Sequence, residues 1–371
     1  MNERYRKILT FLILIFWLSS THEVVTADSA STNNGLKVEI FIMTVKIASD
    51  PTELDYFIKT GMDFNAVDIL DMTALMHAVR HNENPEIIRW LIENGADPNL
   101  LDVLGNSALI HAIQSNANSK VIEKLVKGGA QIELKDGRFG YTPLMYASRF
   151  FDNPEIISIL VDCGADLEAR YNNELTPLML AIRNNSINVV NAIIEKGANV
   201  NALDAQGRTP LEHAVFFVDD PNKITALVKG GADTERRDEY GDTPLISAAF
   251  GSNNPEALRA LIQAGANIEA RNVDGWTPLM CAAAFNSNLD MMKVLLQEGA
   301  NIEARSRSGD TPLMVASGFS SNVNVVSELV SAGADLNAKN DYGFTAVDYA
   351  LRISENGDIM NFFLGLDSVS D

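Results

Sequence analysis

The pattern of apolar and polar positions repeats along this chain with a period close to 34 residues. Blocks that read Thr-Pro-Leu, or a close variant, start at Thr73, Ser107, Thr142, Thr176, Thr209, Thr243, Thr277, Thr311 and Thr345. Further upstream, Asp50 precedes Asn84 by 34 residues and Gly61 precedes Gly95 by the same interval, so a degenerate first unit comes before these blocks. A period of this length predicts a stacked array of ten small units, none of which buries its apolar face alone.

Each unit predicts two short helices followed by a loop. Threonine before proline is typical of an N-cap with proline at the first helical position. The helix that follows is apolar and alanine-rich, as in Ala282-Ala283-Ala284. The second helix begins at Asn-Pro-Glu in several units, and in NPEIIRWLIENGAD, which starts at Asn84, apolar residues recur at helical spacing. The glycine of Gly-Ala-Asp predicts a left-handed end to that helix. A polar stretch such as IEARNVDGW then predicts a short hairpin or loop between units.

These blocks, with Thr-Pro-Leu, Ala-Ala, Gly-Ala-Asp and Asp-x-x-Gly at regular spacing, resemble ankyrin repeats over roughly residues 36–367. The resemblance implies an all-α solenoid of helix pairs with short β-hairpin or loop fingers and a concave face that binds proteins. The sequence departs from the family pattern in one respect that concerns side-chain bonding. Where ankyrin repeats carry the histidine of Thr-Pro-Leu-His, this chain has Met, Ile, Glu or Asp, so we expect the usual histidine network to be absent.

The sequence divides into a leader, a linker and the array. Basic residues precede an apolar run, Ile8 to Leu18, and a polar stretch ending in Val25-Thr26-Ala27 follows, which is the order of a secretory signal peptide. The run is shorter than the ~20 residues that span a membrane. We therefore expect residues 1–27 to be cleaved after Ala27 and the protein to be exported, periplasmic or secreted. The alternative is an uncleaved signal anchor.

After the leader, we expect residues 28–35 to be flexible and residues 36–371 to form the array. Its units lie near 36–70, 71–104, 105–139, 140–173, 174–206, 207–240, 241–274, 275–308, 309–342 and 343–371.

Composition narrows the choice of partner. With a net charge of −20, the chain is a poor ligand for nucleic acid or for an anionic membrane surface. A basic protein partner is compatible with this charge, although solubility alone also explains it. We expect a monomer without a cofactor.

The two cysteines are not expected to pair with each other. Cys163 and Cys281 lie four units apart, about 35 Å, beyond disulfide reach. Cys163, near a helix end, is expected to be either inert or able to pair between molecules.

No P-loop, GxSxG or HExxH motif is present, so we predict a protein that is not an enzyme. His77 and His81 lie four residues apart on one helix, and His111 occupies the position of His77 one unit later. Three imidazoles can bind zinc, which makes a metal-dependent protein one alternative. We favour ordinary half-buried packing, because other units carry Tyr, Leu, Ser, Cys or Val at this position and no carboxylate recurs there.

Function is expected at the positions that differ between units. By the resemblance, two variable positions late in each first helix face the concave groove, and aromatic residues and arginine are typical anchors of binding sites. The candidates there are Arg80, His81, Arg149, Phe150, Arg183, Phe217, Phe250, Phe285 and Phe319. The alternative is that the phenylalanines fill gaps between units. The adjacent Phe216 and Phe217 cannot both point the same way.

The loops between units carry a second set of candidates, which we expect to be exposed contact residues. They are Phe139, Tyr141, Tyr240, Trp276, Tyr342 and Phe344, with Trp276 and Tyr240 the most favoured. The sequence thus predicts an exported scaffold that binds an unidentified protein through its groove and loops. An envelope inhibitor or immunity-type protein, which neutralises a toxin or enzyme, is a further alternative because the acidic charge suits a basic target.

Overall fold

The structure is a computed structural model, and it describes residues 27–116, 118–218, 220–354 and 356–367. In these ranges it contains twenty α-helices, one short 3-10 helix and no β-strand, only the isolated bridges Val67–Thr73 and Tyr171–Leu175. The predicted all-α class is confirmed, and the described loops between units are turns without a regular ladder. Residues 1–26 of the predicted leader, which was expected to span residues 1–27, lie outside the described residues. Within the described part, no helix combines the length and apolar character needed to cross a membrane.

The helices alternate between a first and a second helix in each of the ten units. In chain order they are α1 Ala27–Ile47, the 3-10 helix Pro51–Leu54, α2 Asp55–Lys59, α3 Ala74–His81, α4 Pro85–Glu93, α5 Ala108–Gln114, α6 Ser119–Lys127, α7 Pro143–Phe150, α8 Pro154–Asp162, α9 Pro177–Asn184, α10 Ile187–Glu195, α11 Pro210–Phe217, α12 Pro221–Lys229, α13 Pro244–Gly251, α14 Pro255–Gln263, α15 Pro278–Phe285, α16 Leu289–Gln297, α17 Pro312–Phe319, α18 Val323–Ser331, α19 Ala346–Arg352 and α20 Gly357–Asp367. Odd numbers therefore mark first helices. Unit 1 contains α1 and α2, and unit 10 contains α19 and α20.

The helix ends confirm the capping pattern of the sequence. The Thr277 hydroxyl accepts a hydrogen bond from the Met280 backbone N–H at the start of α15, with Pro278 at the first helical position. The Asn84 side chain caps α4 in the same way by accepting from the Glu86 N–H. After that helix, Gly95 has a φ of 101°, a left-handed conformation that favours glycine. These local bonds explain why the same short motifs recur in every regular unit.

The first helix differs from the others. It begins at Ala27 and so includes residues 28–35, the segment expected to be flexible. Its second half packs into unit 1, where the Phe41 ring lies 4.7 Å from that of Phe57 and 5.4 Å from that of Phe64. Phe41 is almost completely buried. The Phe64 ring in turn lies 5.5 Å from that of Trp90 in unit 2, so this aromatic group packs unit 1 against unit 2.

One continuous apolar core runs through the array from Phe41 to Phe363. First helices pack against first helices and second helices against second helices. The alanines predicted to allow close approach, such as Ala249 and Ala283, are fully buried. Because each unit contacts mainly its neighbours, the core extends along the stack and does not form a central globule.

Two sets of polar bonds hold the loops of successive units in register. A glutamate carboxylate in one loop accepts the backbone N–H at the matching place in the next: Glu235 from Asn267, and Glu269 from Asn301, both at 2.8 Å. The Arg305 guanidinium donates to the Gly309 carbonyl in its own loop at 2.8 Å and to a carbonyl in the next loop at 2.7 Å. These bonds fix the loops relative to the first helices that they precede.

A further set of bonds closes the first helices. In unit 8, the Asn286 side-chain amide donates to the carbonyls of Ala249 and Ser252 in unit 7, at 3.0 and 2.8 Å. Asn82 and Asn185 make the same pair of bonds to their preceding units. Unit 6 has a valine at this place. There Lys223 of α12 donates to the two matching carbonyls of unit 5, those of Ile182 and Asn185, at 2.8 and 2.7 Å.

Candidate functional site

The variable positions of the first helices lie at the surface. The five predicted phenylalanines are between 43% and 52% exposed, and they are Phe150, Phe217, Phe250, Phe285 and Phe319. Arg80, His81 and Arg183 are exposed, and Arg149 is half-buried. These rings therefore do not belong to the core. Phe216 does fill a gap between units: a Cβ atom at Gly251 of the next unit would lie 3.3 Å from its ring. The two adjacent phenylalanines point apart, as expected.

The predicted loop aromatics divide into three groups. Tyr240 and Tyr342 are 62% and 73% exposed, whereas Phe139, Trp276 and Phe344 are half-buried. Tyr141 is only 3% exposed, so the expectation that this ring is exposed is wrong. Its ring lies 4.3 Å from that of Tyr171 in the next loop, and its backbone N–H is bound by Asp136 at 2.6 Å. Tyr141 fills the space between two irregular loops, which removes it from the candidate contact residues.

Two of the exposed phenylalanine rings, and the half-buried ring of Phe344, are covered by an arginine of the same chain. The Arg183 guanidinium lies 4.5 Å from the centroid of the Phe217 ring, and Arg149 lies 5.3 Å from that of Phe150. At the end of the array, Arg352 lies 4.7 Å from the centroid of Phe344. Such contacts are favourable because the face of an aromatic ring carries partial negative charge. These rings therefore have a cationic partner within the molecule.

Four aromatic residues form a continuous surface across units 7 to 9, here called the aromatic stripe: Phe250, Trp276, Phe285 and Phe319. The Phe285 ring lies 5.2 Å from Phe250, 5.4 Å from Trp276 and 6.2 Å from Phe319. Trp276 and Phe285 stack at an interplanar angle of 14°. The first helices of these units, with sequences PLISAAFG, PLMCAAAF and PLMVASGF, contain no charged residue. The aromatic stripe thus connects four predicted contact residues, three of them exposed phenylalanines.

Two carboxylates lie beside the aromatic stripe. Burial, and then the negative charges of Asp242 and Asp274, raise the pKa of the Cys281 thiol, which is one helical turn before Phe285 on α15. Burial and the neighbouring Asp238 and Asp274 also raise the pKa of Asp242. One buried carboxylate oxygen of Asp242 has no hydrogen-bond partner in the described structure. Asp242 and Asp274 therefore place carboxylates near α15, beside the aromatic stripe.

Three histidines of the first helices bind aspartates in the loop that precedes each helix. The Nε2 atoms of His77, His111 and His213 lie 2.8, 2.9 and 3.0 Å from an aspartate oxygen nine residues upstream. Their Nδ1 atoms are buried without a partner, and burial lowers the pKa of each ring. The imidazoles are therefore neutral and donate from Nε2. Asp68, Asp102 and Asp204 were missed in the sequence analysis. Carboxylates were sought only at the helix position that His77 and His111 occupy, whereas these aspartates lie in the preceding loops.

This arrangement gives no support to the zinc alternative. His77 and His111 each point Nε2 at their own aspartate, so the two rings do not converge with His81 on one point. The rings of His77 and His81 are 6.3 Å apart and nearly parallel. Among the described residues, no group of three or more His, Cys, Asp or Glu side chains is arranged to hold a metal ion.

The stack of capped helix pairs, with variable residues exposed along its first helices, defines a repeat scaffold. A family model described as ankyrin repeats, in three copies, matches residues 43–136, 75–171, 144–238, 217–306 and 283–369. Since these matches together cover most of the chain, the chain belongs to the ankyrin-repeat family. Ankyrin repeats are in general scaffolds for protein–protein interaction and are typically not enzymes.

Similar proteins share the repeats over short stretches. The chain is 35% identical over 88 residues to protein fem-1 homolog A of Bos taurus, covering 20% of this chain and 14% of that protein. It is 34% identical over 86 residues to SH3 and multiple ankyrin repeat domains protein 2 of Homo sapiens, covering 23% and 5%. Among solved structures, the human ASB11 ankyrin repeat domain matches with a TM-score of 0.49 and 24% identity, covering 61% of this chain and 98% of that one. The chain therefore spans only a small part of these curated relatives.

Proposed function

We propose that this protein binds a partner protein at the aromatic stripe and the adjacent loops, without chemical turnover. The observation that carries the proposal is that Phe250, Phe285 and Phe319 are about half exposed while their rings contact one another across three units. Isolated exposed apolar residues are common, but a contiguous apolar surface indicates an interaction site. Aromatic side chains are also enriched among residues that dominate binding energy.

The remaining candidates would form the rim of the same site. Arg80, His81 and Arg183 are exposed on the first helices of earlier units, and Tyr240 and Tyr342 are exposed on loops. Interfaces commonly have an apolar centre surrounded by polar, partly hydrated residues. We infer that a partner contacting the aromatic stripe extends towards these residues along the first helices.

We also propose that the protein is exported, on the support of the basic and apolar N-terminal segment ending at Ala27. N-terminal sequencing of the protein recovered from its native host tests this. A mature chain beginning at Asp28 is the expected result, and an intact Met1 would favour the membrane-anchored alternative.

The binding proposal is tested with the mature chain immobilised as bait and with Trp276→Ala and Phe285→Ala as variants. Ile69→Ala is the matched control, because Ile69 is 95% exposed but lies in the loop between units 1 and 2, far from the aromatic stripe. A protein that the wild type captures is then purified and titrated against each variant by calorimetry. We expect at least about tenfold weaker binding to the stripe variants and no change for the control. Equal affinities for all four chains would reject the site.

A further inference from the structure

We propose that the aromatic stripe receives an arginine side chain from an extended segment of the partner protein. The inference rests on the proposed function, which it makes more specific by naming the chemistry of the occupant. It follows from a contrast between the aromatic stripe and the two other exposed phenylalanines of the first helices, Phe150 and Phe217.

Elsewhere in the array, exposed groove rings are paired with guanidinium groups. Phe217 has Arg183 at 4.5 Å and Arg208 at 5.3 Å from its centroid, and Phe150 has Arg149 at 5.3 Å. Within the described residues, no arginine or lysine lies over a ring of the aromatic stripe. Exposed phenylalanine rings of this protein thus bind a guanidinium where the chain supplies one. The rings of the aromatic stripe have no such partner in the described chain.

The repeat explains why the aromatic stripe has no cation of its own. The seventh residue after the threonine of the Thr-Pro-Leu block is arginine in four units, at Arg80, Arg149, Arg183 and Arg352. In units 8 and 9 this position is Ala284 and Gly318, both buried. Neither residue has a side chain that could reach across the rings. Phe285 stacks on Trp276, and the remaining exposed surface of Phe285 and Phe319 is available to a partner.

The charges around the aromatic stripe favour a cation. Asp242 and Asp274 lie beside α15, and one buried oxygen of Asp242 has no hydrogen-bond partner in the described structure. The guanidinium groups of the nearby Arg271 and Arg305 are directed at the carbonyls of two successive loops, to which each donates. Arg307 is exposed at the tip of the next loop, and the structure places it over none of the four rings.

Arginine suits this site better than lysine for a geometric reason. A guanidinium is planar and can lie flat on a ring while its edge donates hydrogen bonds to a carboxylate. The stacked pair Trp276 and Phe285 offers flat faces, and Asp274 belongs to the same loop as Trp276. A lysine ammonium is a compact, strongly hydrated charge and would gain less from the same surface.

The test uses three fluorescein-labelled peptides that alternate a test residue with glycine and serine. The test residue is arginine, citrulline or lysine; citrulline keeps the planar shape of arginine without its charge. Binding to the mature chain is measured by anisotropy. Quenching of Trp276 emission, in a Trp90→Phe background, reports contact at the aromatic stripe. We expect the arginine peptide to bind about tenfold more tightly than either of the others.

The variants separate ring contact from general attraction to an acidic protein. Phe285→Ala leaves the net charge unchanged and is expected to remove most of the preference for arginine, as is Asp274→Asn. Phe150→Ala is the matched control, since Arg149 already covers that ring, and it should leave binding unchanged.

Three outcomes would overturn the inference. They are equal binding of the arginine and citrulline peptides, equal binding of the arginine and lysine peptides, and arginine binding that does not depend on Phe285. The proposed function would still stand in each case if a captured partner loses affinity for Phe285→Ala. If captured partners are indifferent to Trp276 and Phe285, the proposed function itself is rejected.

Discussion

The side chains of His213 and Asp204 are both completely buried, and the histidine Nε2 lies 3.0 Å from the aspartate Oδ2. The other ring nitrogen of His213, Nδ1, is buried without a partner. Protonation would place a hydrogen on Nδ1 that no acceptor can bind, and burial opposes the added charge more strongly than Asp204 favours it. Burial accordingly lowers the pKa of His213, and the same holds for His77 and His111.

This arrangement predicts that the array loses stability in mildly acidic solution. Because the folded-state pKa of each of these histidines is lowered from 6.5, the unfolded chain binds protons first as the pH falls. Their contribution is therefore complete above pH 6.5 and is lost as the pH falls towards the lowered folded values. Urea midpoints at about pH 7.5 and about pH 5.5 measure the loss. His213→Gln should reduce the difference between the midpoints, whereas His81→Gln, at an exposed site, should change it less. An unchanged midpoint for the wild type would contradict the prediction.

Replacing Lys223 is predicted to lower the stability of the array. Lys223→Met removes the ammonium group that donates hydrogen bonds to the carbonyls of Ile182 and Asn185. An unsatisfied buried polar group costs about 1–3 kcal/mol. We expect a loss of unfolding free energy of about that size in a urea titration. Lys229→Met, an exposed change on the same helix, is the control and should have almost no effect.

A rescue distinguishes the lost bonds from lost packing. Val218 occupies the place at which Asn286 makes its two bonds in unit 8. Adding Val218→Asn to Lys223→Met should therefore restore part of the lost stability. If the double variant is no more stable than Lys223→Met alone, the carbonyl pair is not the cause.

Gly318 is predicted to be required by the last unit. A Cβ atom there would lie 2.9 Å from the Tyr349 ring, whose hydroxyl donates to Asp310 at 2.6 Å. Gly318→Ala should destabilise units 9 and 10 by about 1–3 kcal/mol, despite the better helix propensity of alanine. Faster hydrogen exchange in α19 and α20 would show this. At Gly251 the nearest atom belongs to the half-exposed ring of Phe216, 3.3 Å away, so Gly251→Ala should be tolerated. Equal exchange in both variants would refute the packing argument.

The two cysteines should differ in reactivity, and both should react slowly. Cys281 is buried, so we expect it to react with a disulfide reagent only when the array opens. Burial, and then the charge of Glu123, raises the pKa of the partly exposed Cys163 thiol. Cys163 should therefore react more slowly than free cysteine at neutral pH, and Glu123→Gln should accelerate it. A rate at Cys163 equal to that of free cysteine would contradict this, and Cys163→Ser identifies its signal.

The sequence predicted those features that depend on neighbouring residues. Thr277 and Asn84 cap helices through bonds to residues two or three positions away, so their motif is sufficient to identify them. The exposure of Tyr141 was predicted wrongly because its burial depends on Tyr171, which is in the next loop, 30 residues away. The bonds of Lys223 cross 38 and 41 residues and use a different position from the asparagines that make the same contacts. Contacts between residues close in the sequence could thus be predicted, and contacts between residues 30 or more positions apart could not.

The candidate site was predicted in part for the same reason. The positions of Phe285 and Phe319 were expected from variation between units, and both are exposed. What the repeat pattern did not show is which rings touch one another and which lie under an arginine. Those relations depend on side-chain contacts between units, such as that of Arg183 with Phe217.

The bonds of Glu235 and Glu269 to the next loop have a consequence for how such a chain can change in length. Each donor and acceptor recurs at the same place one unit later, as Glu303 shows by accepting from Asp335. Removing one 34-residue unit, such as 275–308, would bring Glu269 to the backbone N–H of Asp335, the same kind of partner that it now has. The chain can therefore gain or lose whole units by internal duplication or deletion, and each new junction will match the old.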